Sequence, residues 1–352
     1  MQVDVVELLR GMLEIESLSG REERLAAFLV ERMSALGLHA HTDEVGNAVG
    51  VRETPNGAGE IEREIVLMGH MDTVPGRIPV RIEDGELWGR GAVDAKGPLA
   101  AMIAAVALQA PPEGVRFTVI GAVEEESATS RGARHVAAMR RADMCIIGEP
   151  SGSGAVTIGY KGRLLLRCGM EQASAHTAGP GPSAPERMAD WWIGVRTLCA
   201  ALSAGRERLF DRYLPCLREL QSGSDGITEW AMAVVSVRLP PGAEVDELAG
   251  RVRELAGDGR LAVDAHEPAW ETGRDDPLAK LFMRSIRAHG ARPALKLKTG
   301  TCDMNIVGPA WRCPIVAYGP GDSGLDHAPN ERICIEELQR GVEVLRGVLA
   351  QV

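Results

Sequence analysis

Apolar residues recur at helical spacing over the first forty residues of the chain. They fall on one face of each of two segments, with Val6, Leu9 and Leu13 in the first and Leu25, Phe28, Leu29 and Met33 in the second. A pattern of this period predicts amphipathic helices that pack one face against a core. We therefore expect two helices to open the fold, the second capped near Ser19.

Short apolar runs and helical stretches then alternate along the chain. They predict strands at 65–68, 115–123 and 144–147 and helices at 98–109 and 132–140. Strands separated by helices are typical of a parallel sheet that is covered on both faces. The pattern therefore predicts an α/β fold with a mainly parallel sheet.

A different pattern begins after Tyr160. It predicts strands at 163–170, 230–239 and 260–265 and helices at 184–202 and 244–255, while 203–226 is irregular and is interpreted as an insertion. Beyond Pro268 the α/β pattern returns, with a helix at 277–289, a strand at 314–318 and a terminal helix at 335–349. We expect a discontinuous larger domain, 1–162 and 267–352, with a smaller α+β domain, 163–266, inserted into it.

The composition is that of a globular protein with a sizeable core. Of the 352 residues, 45% are apolar and 25% are charged, and the length suggests about two domains of roughly 150 residues. The formal net charge of −10 argues against a nucleic-acid partner, because phosphate binding needs a surplus of Lys and Arg. No apolar run reaches the ~20 residues of a membrane helix, and the acidic N-terminus is unlike a signal peptide. We expect no membrane partner and a cytoplasmic location.

Acidic and imidazole side chains follow three of the predicted strands. His70 and Asp72 come after the first, the triplet Glu124–Glu126 after the second and Glu149 after the third. Because ligands of open α/β sheets collect at the carboxyl ends of strands, we expect these groups to lie together. Three adjacent carboxylates in a crevice would repel one another unless a cation compensates their charge.

Asp94 and His327 are further candidates for the same site. Asp94 lies in a glycine-rich turn before a predicted helix, and His327 lies in LDHAPNE. Taken singly, an Asp beside glycine is typical of a turn or a helix cap, and a run of acids is typical of a solvated face. Taken together, imidazole nitrogens and carboxylate oxygens suit zinc or a similar divalent ion.

Seven segments of the chain resemble, in order, those of one enzyme family. They are MGHMDTVP, GRGAVDAKG, AVEEES, GEPSG, SAHTAG, VRLPPG and DHAPNE. The order is similar to that of the dinuclear zinc hydrolases of the acetylornithine deacetylase, succinyl-diaminopimelate desuccinylase and carboxypeptidase G group, and it spans the whole chain. The resemblance implies an amidohydrolase with two Zn²⁺ ions, or Co²⁺ in their place, and a homodimer joined through the smaller domain, which forms a lid.

The resemblance also implies a role for each metal-facing residue. One zinc ion would be bound by His70 and Glu149, and the other by Glu126 and His327. Asp94 would bridge the two ions. In this arrangement the protein supplies two imidazoles and three carboxylates to the metal pair.

The glutamate triplet stands where the family usually has Asp-Glu-Glu. Aligning the strand ends places Glu124 at the Asp position, Glu125 at the general base and Glu126 at the metal ligand. Neighbouring side chains of an extended strand point opposite ways, so Glu125 and Glu126 need a bend or bulge to reach one site. A register with Glu124 as base and Glu125 as ligand stays open. Asp72 would act as the residue that orients His70.

Other candidate residues lie in the predicted smaller domain and in a polar run near position 300. His176 in SAHTAG matches the family histidine that donates a hydrogen bond to the oxyanion from the partner subunit; its alternative is a surface histidine in a loop. The resemblance implies substrate binding by Arg238, Thr301, Asp303 and Asn305; the alternative for Arg238 is an exposed charge on a strand. Cys302 is not expected to act as a nucleophile, and the seven cysteines, with no Cys-x-x-Cys pair, are expected to be reduced.

Four segments favour a narrower relationship within the group. GYKGRLLL, SAHTAG, KTGTCDMN and AYGPGDSGLDH resemble the LysW-lysine and LysW-ornithine hydrolases of the amino-group-carrier pathway. This resemblance implies release of lysine or ornithine from the γ-carboxyl of the C-terminal glutamate of an acidic carrier protein, LysW. The alternatives are an acetylornithine deacetylase, a succinyl-diaminopimelate desuccinylase or a dipeptidase, and, in a different class, a catalytically silent metal-binding protein.

Two runs of basic residues flank these motifs. They are Arg131, Arg134, Arg140 and Arg141 in the first and Lys161, Arg163 and Arg167 in the second. One interpretation is a docking surface that attracts an acidic carrier to a chain of net negative charge. The other is a pair of solvated faces that balance nearby acids.

Overall fold

The computed structural model describes residues 3–352, and the chain forms two compact units. The larger unit contains the chain up to Gly159, Glu271–Leu297 and Cys302–Val352, and the smaller contains Tyr160–Trp270 and Lys298–Thr301. The predicted smaller domain, 163–266, begins and ends a few residues inside the observed range Tyr160–Trp270. The sequence pattern does not show that Lys298–Thr301 groups with the smaller unit.

Helices and strands account for most of the described residues. The helices are α1 (Val5–Leu13), α2 (Glu23–Ala35), α3 (Lys96–Leu108), α4 (Arg131–Met139), α5 (Ala184–Leu202), α6 (Val245–Ala256), α7 (Pro277–Ala288), α8 (Met304–Trp311) and α9 (Ile335–Leu349). The strands are β1 (His39–Thr42), β2 (Ala48–Thr54), β3 (Arg63–His70), β4 (Arg81–Glu83), β5 (Glu86–Trp88), β6 (Val115–Ala122), β7 (Met144–Gly148), β8 (Ala155–Tyr160), β9 (Gly162–Ala173), β10 (Leu214–Ser224), β11 (Thr228–Leu239), β12 (Arg260–Glu267), β13 (Trp270–Glu271), β14 (Ala294–Lys298), β15 (Ile315–Ala317) and β16 (Arg332–Cys334). Within residues 3–352, no helix is long and apolar enough to cross a membrane.

A nine-stranded sheet forms the centre of the larger unit. Its order is β1-β2-β6-β3-β7-β15-β8-β13, and β14 pairs with β8. Strand β3 runs parallel to β6 and β7, and β15 runs parallel to β7, whereas β1 and β2 pair antiparallel at one side. The parallel centre confirms the predicted α/β class. It also brings the carboxyl ends of β3, β6 and β7 to one edge of the sheet.

Helix α3 is the interior helix of the larger unit. Its residues Lys96–Ala107 are all buried, and it packs against β3 and β6 as well as against α1 and α9. The sequence KGPLAAMIAAVAL has no charged residue after Lys96, as a helix covered on all sides requires. This packing fixes the backbone directly after Asp94.

The smaller unit is a four-stranded antiparallel sheet with two helices. The sheet order is β10-β11-β9-β12, and α5 and α6 pack on it. Its core is formed by residues such as Leu164, Trp191 and Val235. Helix α5 begins at a capping box in which the Ser183 hydroxyl accepts from the Glu186 amide and the Glu186 carboxylate accepts from the Ser183 amide, which fixes its start.

Two sequence-based interpretations are wrong. The segment 203–226 is not an irregular insertion, because its residues Leu214–Ser224 form the long edge strand β10. Its side chains are largely exposed on both faces, so no alternation of apolar and polar residues shows the strand in the sequence. The second helix is not capped by Ser19, since α2 begins at Glu23 without a side-chain cap and the Ser19 hydroxyl donates to Asp72 instead.

Candidate active site

The parallel strands bring the predicted metal-facing residues to one edge of the large sheet. His70 ends β3 and lies beside Ala122, the last residue of β6, while Gly69 lies beside Gly148, the last residue of β7. The glutamate triplet follows β6, and Glu149 follows β7. The register of the sheet therefore places these acids beside His70.

The side chains form two donor groups that share Asp94. In the first, His70 Nε2 lies 3.2 Å from Asp94 Oδ1 and 3.9 Å from Glu149 Oε1. In the second, His327 Nε2 lies 3.1 Å from Asp94 Oδ2 and 2.9 Å from Glu126 Oε1. The two oxygens of Asp94 thus face different imidazoles, an arrangement that suits a carboxylate bridging two ions.

The chain bends at the start of the glutamate triplet. Glu124 has a φ of +61°, a left-handed conformation that is uncommon for a residue other than glycine. The Glu124 carboxylate turns away and pairs with Arg131 at 2.8 Å. Glu125 and Glu126 both belong to groups of possible metal donors with His70. The bend that the sequence required for these two side chains is therefore present.

Buried carboxylates hold the backbone of the triplet in place. The Glu124 amide donates to Glu22 Oε1 at 3.0 Å, and the amides of Glu125 and Glu126 donate to the two oxygens of Asp72 at 3.1 and 3.0 Å. Glu22 and Asp72 are both buried. All three amides of the triplet are thus bonded to carboxylates, which fixes the direction of the side chains that follow.

Asp72 has a broader role than the predicted orientation of His70. The nearest partner of His70 Nδ1 is the Asp72 backbone carbonyl at 2.9 Å, and the Asp72 carboxylate is farther away at 3.5 Å. A carbonyl can only accept, so Nδ1 carries the proton. The Asp72 carboxylate is bonded instead to the Ser19 hydroxyl and to the triplet amides. Sequence reasoning did not identify Glu22 or Ser19 as supports of this site, because neither stands in a motif.

The electrostatics of the site show an array of carboxylates that needs positive charge. Burial opposes a charge on His70, but hydrogen bonds to Asp72 and Asp94 outweigh it and raise the pKa of this imidazole well above its ordinary value. Hydrogen bonds to Asp94 and Glu126 raise the pKa of His327 to about 10. Burial is also the main cause that raises the pKa of the Glu125 carboxyl well above its ordinary value.

The donor set fits a pair of divalent cations. His70 Nδ1 donates to the Asp72 carbonyl. If the ring were neutral, the lone pair of Nε2 would therefore point at the carboxylates of Asp94 and Glu149. Acceptors that face one another repel unless a proton or a metal ion lies between them. In the metal-free chain, protons on the two imidazoles provide that charge, and bound metal ions would replace them.

This replacement predicts proton release when metal binds. At pH 7 the metal-free chain should carry protons on both His70 and His327, whose pKa values are raised. Since a ligand imidazole must be neutral, metal binding should release the protons of both imidazoles, and the share that comes from His327 should fall as the pH rises towards 10. Isothermal titration calorimetry in buffers of different ionisation enthalpy measures the number of protons released.

A single substitution provides the control for the proton count. His327→Asn removes one of the two protonated imidazoles, so its proton release should be smaller by about one. Heats of metal binding that do not depend on the buffer would show that the imidazoles are already neutral in the metal-free chain.

His176 lies in the smaller unit, on an exposed loop after β9. Its Nδ1 accepts a hydrogen bond from the Ala178 amide at 3.1 Å. Because Nδ1 accepts, the proton of the neutral ring lies on Nε2. The loop therefore presents a hydrogen-bond donor, which is the chemical property that an oxyanion requires.

The predicted substrate-binding residues are divided between the two units. In the smaller unit, Arg238 Nη1 donates to Thr301 Oγ1 at 2.7 Å. In the larger unit, Asn305 Oδ1 accepts from the Cys302 amide at 3.0 Å, and Asp303 is buried with its Oδ1 unpartnered among the described residues. Burial raises the pKa of Asp303 to about 7, although the charges of His70 and Arg134 act in the opposite direction.

Cys302 has the properties of a buried structural thiol. Burial raises its pKa well above the ordinary value, and the charges of Glu149 and Glu125 act in the same direction. A protonated thiol is a weak nucleophile. All seven cysteines are free, and Cys145, Cys168 and Cys199 are likewise buried.

The basic runs do not form the free positive surface that one interpretation required. Lys161 is completely buried, and its ammonium donates to the backbone carbonyls of Phe210 and Arg212. Most of the other members are ion-paired with acids of the same unit: Arg131 with Glu124, Arg140 with Glu64, Arg163 with Glu267 and Arg167 with Asp264. The interpretation as balanced faces fits these contacts better.

Known proteins match this chain over most of its length. Residues 66–351 match the model of Peptidase family M20/M25/M40. A LysW-lysine hydrolase from Deinococcus radiodurans is 44% identical over 354 residues, covering 98% of this chain and 96% of the relative. A protein from Thermococcus kodakarensis, provisionally named LysW-lysine/LysW-ornithine hydrolase, is 41% identical, covering 98% of this chain and 91% of the relative.

Solved structures share the fold. An M20 family metallo-carboxypeptidase from Sulfolobus solfataricus superposes with a TM-score of 0.78 at 18% identity, covering 99% of each chain. At this identity the likeness concerns the fold alone. It agrees with the α/β architecture described above.

Proposed function

Because the chain belongs to Peptidase family M20/M25/M40, we propose that it is the member that hydrolyses LysW-linked lysine or ornithine. The observation that carries this proposal is the 44% identity to a LysW-lysine hydrolase over nearly the full length of both chains. The bond cleaved is the amide between the γ-carboxyl of the carrier's C-terminal glutamate and the amino group of lysine or ornithine. Water adds its oxygen to the carbonyl, the C–N bond breaks, and the amine leaves with a proton.

The two donor groups that share Asp94 would hold the metal ions. His70, Asp94 and Glu149 would bind one ion and Asp94, Glu126 and His327 the other, with zinc as the expected metal and cobalt as a substitute. When bound, two such cations supply Lewis-acid polarisation of the scissile carbonyl and activation of water. Outside this set, Asp72 fixes the tautomer of His70 and the backbone of Glu125 and Glu126.

Glu125 is the proposed general base. It lies beside the donor groups, with Oε2 4.0 Å from His70 Nε2, and its side chain is 12% exposed. Burial raises its pKa, which suits a carboxylate that takes a proton from water and returns it to the leaving amine. Glu124 is a poorer candidate because its carboxylate pairs with Arg131. We therefore keep Glu125 as base and Glu126 as ligand.

His176 is proposed to complete the site of a partner subunit in a homodimer joined through the smaller unit. The support is the family resemblance of SAHTAG together with the exposed loop and the Nε2 donor. A donor aimed at the developing oxyanion stabilises the transition state more than the substrate. The residue would thus act on a carbonyl held by the other chain.

Substrate recognition is proposed for the four remaining residues. Arg238, held by Thr301, suits the α-carboxylate of the released amino acid, since guanidinium and carboxylate form parallel hydrogen bonds. Asp303, buried with an unpartnered oxygen, suits the ammonium group of a lysine or ornithine side chain. Asn305 supports the turn before α8 through the Cys302 amide.

Substrate comparison tests the proposed function. The metal-loaded chain is mixed with lysine-charged LysW, N-acetylornithine, N-succinyl-diaminopimelate and a dipeptide, and the released amine is measured by mass spectrometry. We expect kcat/KM for the carrier substrate to exceed the others by about 100-fold or more, because contacts with the carrier add transition-state binding. Preference for one of the small substrates would make the chain a deacylase or dipeptidase, and bound metal without hydrolysis would indicate a silent relative.

A further inference from the structure

A further buried carboxylate supports the metal-facing residues without belonging to either donor group. Glu331 follows His327 by four residues, and its side chain is 1% exposed. Its Oε1 accepts hydrogen bonds from the backbone amides of Val93 at 2.9 Å and Asp94 at 3.0 Å. The carboxylate is therefore bonded directly to the backbone of the residue that lies between the two imidazoles.

The other oxygen of Glu331 connects to the loop that carries His327. Arg90 Nη1 lies 2.8 Å from Glu331 Oε2 and also donates to the Ala328 carbonyl at 3.1 Å. Arg90 Nε donates to the Gly76 carbonyl at 3.0 Å, so the guanidinium is held on two sides. The Arg90 side chain is only 13% exposed, and water competes weakly for these bonds.

These contacts link two metal-facing loops through one ion pair. One end of the pair bonds the amide of Asp94, and the other end bonds the carbonyl of Ala328, the neighbour of His327. The side chains of Asp94 and His327 meet at 3.1 Å, so a small shift of either loop changes their distance directly. Burying a charged pair is costly, and the cost is offset only when its hydrogen bonds are satisfied, as they are here.

We infer that Arg90 and Glu331 are positioning residues that set the placement of Asp94 relative to His327. They thereby set the affinity of the chain for its second metal ion, the one that Asp94, Glu126 and His327 would bind. The inference rests on the proposed function, in which Asp94 and His327 are metal ligands. Neither residue belongs to a donor group. Their effect passes through the backbone of the residues that do.

The test compares substitutions at Glu331 with a matched buried pair. Glu331→Ala removes the acceptor for both amides and the partner of Arg90, whereas Glu331→Gln keeps one acceptor oxygen for the amides but loses the charge and places an NH2 donor opposite Arg90. Glu267→Ala is the control, because Glu267 is also buried and pairs with Arg163 at 3.0 Å but lies in the smaller unit. Metal-free protein is titrated with Co²⁺, and dissociation constants and the visible spectrum of bound cobalt are recorded.

Glu331→Ala should weaken binding of the second ion by about 10- to 100-fold, the usual effect of losing a residue that orients a ligand. Its cobalt spectrum should change, and Glu331→Gln, which keeps an acceptor for the two amides, should weaken binding less. Glu267→Ala should keep wild-type metal binding and spectrum. Arg90→Gln, which removes the link to Ala328, should weaken the same ion if Glu331→Ala does not fold.

Affinities and spectra within threefold of wild type in all Glu331 and Arg90 variants that fold would overturn the inference. In that case, a lowered unfolding temperature would show a merely structural ion pair. Failure of the proposed function is a different result, because the unmodified chain would then bind no metal pair or release no lysine. The wild-type titration is therefore read first.

Discussion

Glu125→Gln should lower kcat by about 10²–10⁴ while the metal content stays near that of the unmodified chain, as expected for loss of a positioned general base. The glutamine amide cannot take a proton from water. The donor groups that contain Asp94 remain complete without Glu125, so metal should stay bound. Steady-state kinetics together with elemental analysis of the purified variant measure both quantities.

The neighbouring glutamates are the controls for this prediction. Glu126→Gln should lose metal, because its carboxylate lies 2.9 Å from His327 Nε2. Glu124→Gln should keep metal and most of the activity, since Glu124 pairs with Arg131 away from the donor groups. If Glu124→Gln alone abolished turnover and Glu125→Gln lost a metal ion, the register of the triplet would be shifted by one residue.

The sequence was sufficient to predict which residues meet at the edge of the sheet. His70, the triplet and Glu149 each follow a strand with a continuous apolar run, and runs of this kind predict buried parallel strands. Parallel strands place their carboxyl ends together, so the position of the polar residues in the chain determines their neighbours in space. A bend or bulge in the triplet was also expected, because Glu125 and Glu126 need one to face a single site, and the structure has it at Glu124.

The residues that hold this edge together could not be predicted from the sequence pattern. Glu22 bonds the amide of Glu124 across 102 positions, and Glu331 bonds the amide of Asp94 across 237 positions. Each is an acid near a helix or in a loop, and local patterning does not distinguish such an acid from an exposed one. The edge strand β10 was missed for a related reason, since its exposed side chains carry no core-facing period.

Mixing two inactive variants should restore activity if His176 acts in the partner subunit. His176→Ala alone should lower kcat by about 10²–10³, the effect of removing one oxyanion donor, and Glu125→Gln removes the base. In a heterodimer, the site that keeps Glu125 receives the intact His176 of the other chain. Random exchange of equal amounts gives hybrids in half of the dimers, each with one complete site, so about a quarter of wild-type activity should return.

The control for this prediction is the exchange of subunits between the two variants. The recovered activity should appear only after exchange is demonstrated, for example by mass spectrometry of tagged chains, and it should be absent when either variant is mixed with itself. The exposed loop and the Nε2 donor of His176 are compatible with action on another chain. If exchange is complete and activity stays at the level of the two separate variants, His176 does not act in trans, because each hybrid dimer would otherwise contain one site with both groups.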